Sequence, residues 1–84
     1  MLTHRQLRYF VEIVDAGSFS QAAERLFIAP SALSRQVREM EQALQVPLLE
    51  RDARGLERTA AGRSLFADAR QILAALGDAM ARAT

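Results

Sequence analysis

The segment Ala29 to Leu44, APSALSRQVREMEQAL, constrains the fold more than any other stretch of the chain. At about 100° per residue, Leu33, Val37, Met40 and Leu44 fall on one narrow stripe, while Ser31, Arg35, Arg38 and Gln42 project from the opposite side. One face is suited to a core and the other to a polar partner. An ordinary amphipathic surface helix divides the same way, because a charged face is usually just solvated, so the neighbouring segments decide between the two. The helix begins either at Pro30, which leaves Ala29 as a poor N-cap, or later, with Ser31 as its cap. Its end is irregular, for Gln45 stands where glycine would be the easier stop.

Before this segment, Leu7, Phe10, Val11 and Val14 follow the i, i+3, i+4, i+7 pattern between Thr3 and Ala16, and Ile13 broadens the stripe. Gly17 ends that helix by taking the left-handed conformation. Ser18 starts the next one, with Gln21 completing a capping box. Phe19, Ala22, Ala23 and Leu26 repeat the apolar spacing, and the adjacent alanines let another helix approach closely. Phe27 to Pro30 is then a tight connection, because proline fits only the first turn of the helix that follows. The sum is a helix-turn-helix whose second helix has an Arg/Ser outer face.

Past Val46, Pro47, Leu48 and Leu49, the stretch ERDARGLERT suggests two short extended pieces around a polar turn ending in Gly55. A small β-hairpin would place Leu49 and Leu56 inward and Arg51, Arg54 or Arg58 outward; a disordered charged loop is the alternative. Directly after the polar helix, such a hairpin is a wing. Thr59 is a plausible N-cap, and from Ala60 onward the chain reads as one long helix. Leu65, Ala69, Ile72, Leu76, Ala79 and Ala83 are spaced 4, 3, 4, 3 and 4 apart, and Phe66, Leu73 and Met80 recur every seven residues. This is a heptad seam. Its first turns can pack on the small domain, and a second copy of the same helix is the simplest cover for the rest.

Composition narrows the function classes. The 84 residues, half of them hydrophobic, make one small domain. Without cysteine there are no disulfides and no cysteine metal sites, which suits a reducing compartment. The start, MLTHRQLRYF, has no apolar run fit for a signal peptide, and no stretch is apolar enough to span a bilayer; a cytoplasmic chain with no membrane partner is expected. His4 is the only histidine, the serines have no His/Asp arrangement beside them, and Glu39 and Glu41 lie too far round the helix to act as one pair. Gly17, Gly55, Gly62 and Gly77 are isolated, so no phosphate-cradling loop exists. Catalysis is not expected, nor is a metal or any cofactor in these residues.

The net charge of +1 does not announce a nucleic-acid partner, yet the whole excess lies between Arg35 and Arg63. All 11 cationic residues are Arg, which favours planar bidentate contacts to guanine or phosphate; a GC-rich genome would produce the same bias. Arg, Ser and Gln on one helix face are the side chains that reach base edges in a major groove. The rival reading is a helical interaction module that uses the last helix and no DNA. It leaves the Ser31, Arg35 and Arg38 face unused.

In order, LRYF, GSF, AAERL, SALSRQ, PLLER and RTAAG resemble the N-terminal winged helix-turn-helix domain of LysR-type transcriptional regulators, from about Leu7 to Ala74. The resemblance implies a mainly α fold: a winged helix-turn-helix over residues 1–59, with three helices and a short hairpin, and a linker or dimerisation helix over 60–84. It also implies sequence-specific binding of double-stranded operator or promoter DNA of dyad symmetry by a homodimer, often a tetramer. The third helix would lie in the major groove and the wing at the adjacent minor groove. Base reading would fall to Pro30, Ser31, Ser34 and Arg35, with Arg38 further along. Ser18 and Ser20 would contact phosphate, and Arg51 and Arg54 would serve the wing. The dimer seam would comprise Leu65, Ala69, Ile72, Leu73, Leu76 and Met80. Complete members add a C-terminal domain that binds a small-molecule effector, absent from these residues. Many members have Gln where this chain has Pro30, and glycine where it has Gln45. The wing, with Gly55 and Glu57, is less basic than usual, so weaker wing contacts are expected.

Overall fold

The computed structural model describes residues 1–53 and 55–84. The elements run α1 (His4–Ala16), α2 (Phe19–Leu26), α3 (Pro30–Leu44), β1 (Leu49–Asp52), β2 (Gly55–Arg58) and α4 (Ala60–Ala83). Each helix start has a local cause. Thr3 and Gln6 form a complete capping box on α1. Ser18 caps α2 by accepting the Gln21 N–H at 3.1 Å, the hydroxyl half of the box expected there. Pro30 is the first residue of α3, and Ala29 caps it without any side-chain bond. The left-handed turns that stop the helices fall on Gly17, as the sequence suggests, and on Phe27 and Gln45, both at φ 58°. Gln45 offsets part of the strain of that conformation by donating through Nε2 to the Gln42 carbonyl at 2.6 Å.

α1 is the centre of the molecule, packed by α4 on one side and by α2 and α3 on the other. Its Leu7 and Phe10 join Met40, Leu48 and Ala69 in one buried cluster. Its Ile13 joins Ala22, Ala23, Leu33 and Val37 in a second. Leu49 packs against both clusters, so the strand that leaves α3 closes the core. Ala22 and Ala23 are fully enclosed where α2 meets α3 and α1, the close approach that their small side chains permit. Leu44, expected on the core stripe, is 42% exposed at the end of α3.

The hairpin pairs antiparallel, with Leu49 opposite Arg58, Glu50 opposite Glu57, Arg51 opposite Leu56 and Asp52 opposite Gly55. This register corrects the expectation of leucines inward and arginines outward. Side chains alternate along a strand, so Leu49 and Arg51 share a face, as do Leu56 and Arg58, and the pairing joins all four on the inner side. The outer face carries Glu50 and Glu57 instead.

Thr59 fastens the hairpin to α4. Its hydroxyl donates to the Pro47 carbonyl at 2.7 Å and accepts the Gly62 N–H at 3.0 Å, and its own N–H donates to the Leu48 carbonyl. Gly62 is buried against that carbonyl, and a β-carbon there would overlap the Leu48 backbone oxygen. Along α4, Ala69 is enclosed, Leu65, Phe66 and Leu73 are half-buried, and every residue from Ala74 onward is exposed. Arg70 ties the helix to α1 through an ion pair with Asp15 at 3.2 Å. Gly62→Ala is expected to lower unfolding stability by about 1–3 kcal/mol, the usual cost of overpacking. Denaturant unfolding checks this, with Gly77→Ala, at an open position on the same helix, as the control that loses none.

Candidate nucleic-acid interface

The start of α2, the exposed face of α3 and the inner face of the hairpin meet around a shallow concave surface. One part is lined by Ser18, Phe19, Ser20, Pro30, Arg51 and Leu56. The adjoining part is lined by Phe19, Ser34, Arg38, Glu41, Arg51 and Leu56. The structure therefore brings together Ser18, Ser20, Pro30, Ser34, Arg38 and Arg51. Ser31 and Arg35 lie on the exposed face of α3 beside them. Arg54 lies outside the described residues.

Each side chain is held by its local surroundings. Arg38 donates through Nη1 to the Ser34 hydroxyl one turn earlier, at 3.0 Å, so these neighbours form one polar unit. Arg35 is exposed and free to extend from α3. The Arg51 guanidinium lies over the Phe19 ring, 5.1 Å from its centroid, and the cation–π attraction directs it across the concavity toward α2. Arg58 instead rests over Phe66 at 5.2 Å, on the side of the hairpin toward α4. Of the two described wing arginines, Arg51 faces the concavity. At the back of α3, Gln6 donates to Gln36 at 3.3 Å and ties α3 to α1.

The site also contains residues that the sequence alone did not single out. Phe19 was readable only as a core position, yet its ring supports Arg51. Glu41 accepts the N–H groups of Leu48 and Leu49 where the chain enters β1. A strand period of two, applied to Leu49 and Arg51, would have placed Arg51 on the inner face.

Among the seam residues, Ala69 is wholly covered by its own domain, and Leu65 and Leu73 are half-covered. Ile72, Leu76 and Met80 remain 51, 38 and 62% exposed. Among the described residues, no cluster of three or more His, Cys, Asp or Glu is placed to hold a metal ion, and no helix is long and apolar enough to cross a membrane.

Three helices with a two-stranded wing, the second and third helices joined by a tight turn, define a winged helix-turn-helix protein. Residues 4–63 match the family model described as bacterial regulatory helix-turn-helix protein, lysR family. This chain belongs to the LysR family. It is similar to the transcriptional regulator TfdT of Cupriavidus pinatubonensis, 49% identical over 83% of this chain and 31% of that protein. It is also similar to the nitrogen assimilation regulatory protein nac of Escherichia coli, 51% identical over 86% of this chain and 24% of that protein. The chain thus spans a third or less of these relatives, which are regulators and not enzymes.

Among solved structures, the DNA-binding domain of CbnR in complex with DNA matches with TM-score 0.90 and 41% identity, over 98% of this chain and 94% of that one. The DNA-binding domain of BenM in complex with catB site 1 DNA matches with TM-score 0.94 and 35% identity, over 98% and 92%.

The two serines at α2 separate a capping role from a contact role. Ser18→Ala removes the bond to the Gln21 N–H and is expected to lower stability by about 1 kcal/mol. Ser20→Ala, at an exposed position, should stay within roughly 0.5 kcal/mol of the parent. Thermal melts of the two variants check this difference.

Proposed function

We propose that this chain is the DNA-reading part of a transcriptional regulator, binding double-stranded operator or promoter DNA of dyad symmetry as a homodimer. The observation that carries the reading is the concave surface itself. It gathers Arg38 and Arg51 with the exposed starts of α2 and α3, on a fold shared with domains solved on DNA.

In this reading, the first turns of α3 enter the major groove, with Ser31, Ser34 and Arg35 at base edges and Pro30 in apolar contact. Arg35 is the bidentate reader, because it is the arginine of α3 that is exposed with no side-chain partner among the described residues, whereas Arg38 is bonded to Ser34. Arg38, already bonded to Ser34, serves phosphate or a base further along the groove. Ser18 and Ser20 contact phosphate, aided by the free N–H groups at the start of α2. Arg51 serves the wing, and Arg54 is assigned there by the family resemblance alone. The acidic outer face of the hairpin keeps wing contacts few. The protein acts in the cytoplasm. Its complete form carries an effector-binding domain for a small molecule and assembles further into tetramers.

The homodimer forms through α4. Ile72, Leu76 and Met80 supply its uncovered apolar face, and Leu65 and Leu73 add the part of their surface that the core leaves open. Ala69, enclosed in the protomer, supports the seam from behind.

Arg35→Ala tests the reading function. The variant should lose about 1–3 kcal/mol on the best-bound duplex and much less on a scrambled one, as measured by titration. Equal losses on both would make Arg35 a phosphate clamp, and binding that ignores salt would remove DNA altogether. Leu76→Asp tests the dimer. It should weaken binding to a duplex with two half-sites about one helical turn apart, or a multiple of that, far more than binding to a single half-site. Equal effects would remove dimerisation through α4 from the reading.

A further inference from the structure

Glu41 is an unexpected residue on this surface. It lies in the last turn of α3, where the helix dipole disfavours an acid, and it borders the concavity proposed to meet phosphate. Neither local helix energetics nor attraction to a polyanion accounts for it. Its contacts do: Oε2 accepts the Leu48 N–H at 2.7 Å and the Leu49 N–H at 3.3 Å.

These amides sit at the one point where the chain passes from the reading helix into the wing. They open the hairpin ladder, whose first pair is Leu49 opposite Arg58. An ionised acceptor makes a stronger bond to backbone N–H than a neutral one. It fixes the origin of β1 against α3 at a part-buried position. Arg51 lies two residues along that strand, on the same face as Leu49, and its guanidinium reaches back over Phe19.

We infer that Glu41 is a positioning residue that sets the wing, and Arg51 in particular, in register with the reading face of α3. The inference rests on the DNA-binding reading above. Glu41 itself need not touch DNA. Its charge opposes the approach of phosphate, and its worth lies in holding two contact surfaces of one site at a fixed offset.

The sign of the effect makes this testable. If Glu41 were only a charge near the interface, Glu41→Ala would bind DNA as well as the parent or better, and Glu41→Asp would be silent. As a positioning residue it gives the opposite result. Binding to the best-bound duplex is measured for Glu41→Ala, Glu41→Asp and Glu41→Gln, each alone and combined with Arg51→Ala, under conditions where circular dichroism shows the variant folded.

Glu41→Ala should weaken binding by about tenfold, within the range of coupled neighbouring residues. Glu41→Asp, which keeps the charge but is one methylene too short to reach both amides, should lose nearly as much. Glu41→Gln, which keeps the length and one acceptor oxygen, should lose less. Arg51→Ala should cost far less in the Glu41→Ala background than in the parent. Binding by Glu41→Ala as tight as the parent's, an Asp variant equal to the parent, or losses from Glu41 and Arg51 that simply multiply would overturn the inference. Arg35→Ala on the same duplex separates the two levels. If it weakens binding while the Glu41 variants do not, only the positioning role fails; if the parent does not distinguish this duplex from a scrambled one, the reading beneath it fails.

Discussion

The backbone of Leu48 is the junction on which the site depends. Its N–H is held by Glu41 of α3, its carbonyl accepts the Thr59 N–H at the start of α4, and the bare face of Gly62 packs on that carbonyl. Its side chain is meanwhile fully buried between α1 and α4. The reading helix, the wing and the long helix therefore meet at one peptide. A shift of any of them strains the other two. In so small a domain, where little apolar surface is buried, this junction couples the geometry of the concave surface to the packing of the whole domain.

The division of the core into two clusters suits this arrangement. The Ile13 cluster fixes α2 against α3, which sets the angle at which the start of α3 emerges. The Leu7 and Phe10 cluster fixes the first half of α4 against α1. α1 contributes to both and Leu49 bridges them. In the proposed dimer, packing through α1 would hold the exposed face of α3 at a fixed offset from α4. Polar residues finish the job at the surface, with Arg70 and Asp15 joining α4 to α1 and Gln6 and Gln36 joining α1 to α3.

Much of this was legible in the sequence because it follows from periodicity and capping. Leu7, Phe10 and Ile13 in α1, Ala22 and Ala23 in α2, and Leu33, Val37 and Met40 in α3 are buried as their spacing requires. Gly17, Ser18 and Thr59 mark helix boundaries by their own chemistry. What was not legible depends on contacts between segments distant in the chain. Glu41 reads as one more acid on a polar face until β1 folds back to present its amides. Gly62 reads as an incidental helix glycine until Leu48 arrives against it. The charge of Arg51 and Arg58 argues for an outward position in the sequence, yet the period of the strand puts both on the face of Leu49 and Leu56. The aromatic rings of Phe19 and Phe66, which make an inward arginine favourable, are supplied by other elements. Along the heptad seam the periodicity does not show how far the domain's own cover extends, which in the structure takes in Ala69 wholly and Leu65 and Leu73 in part.

In the proposed function one rigid unit presents α3 and the wing together, and two such units act on one duplex. Selection of bound duplexes from a random DNA pool at roughly physiological salt, followed by sequencing, tests it most directly. The expected result is a dyad motif of two half-sites whose centres lie about one helical turn, or a multiple of that, apart. Recovery of no motif from folded, dimeric protein would contradict it and leave a helical interaction module as the better description.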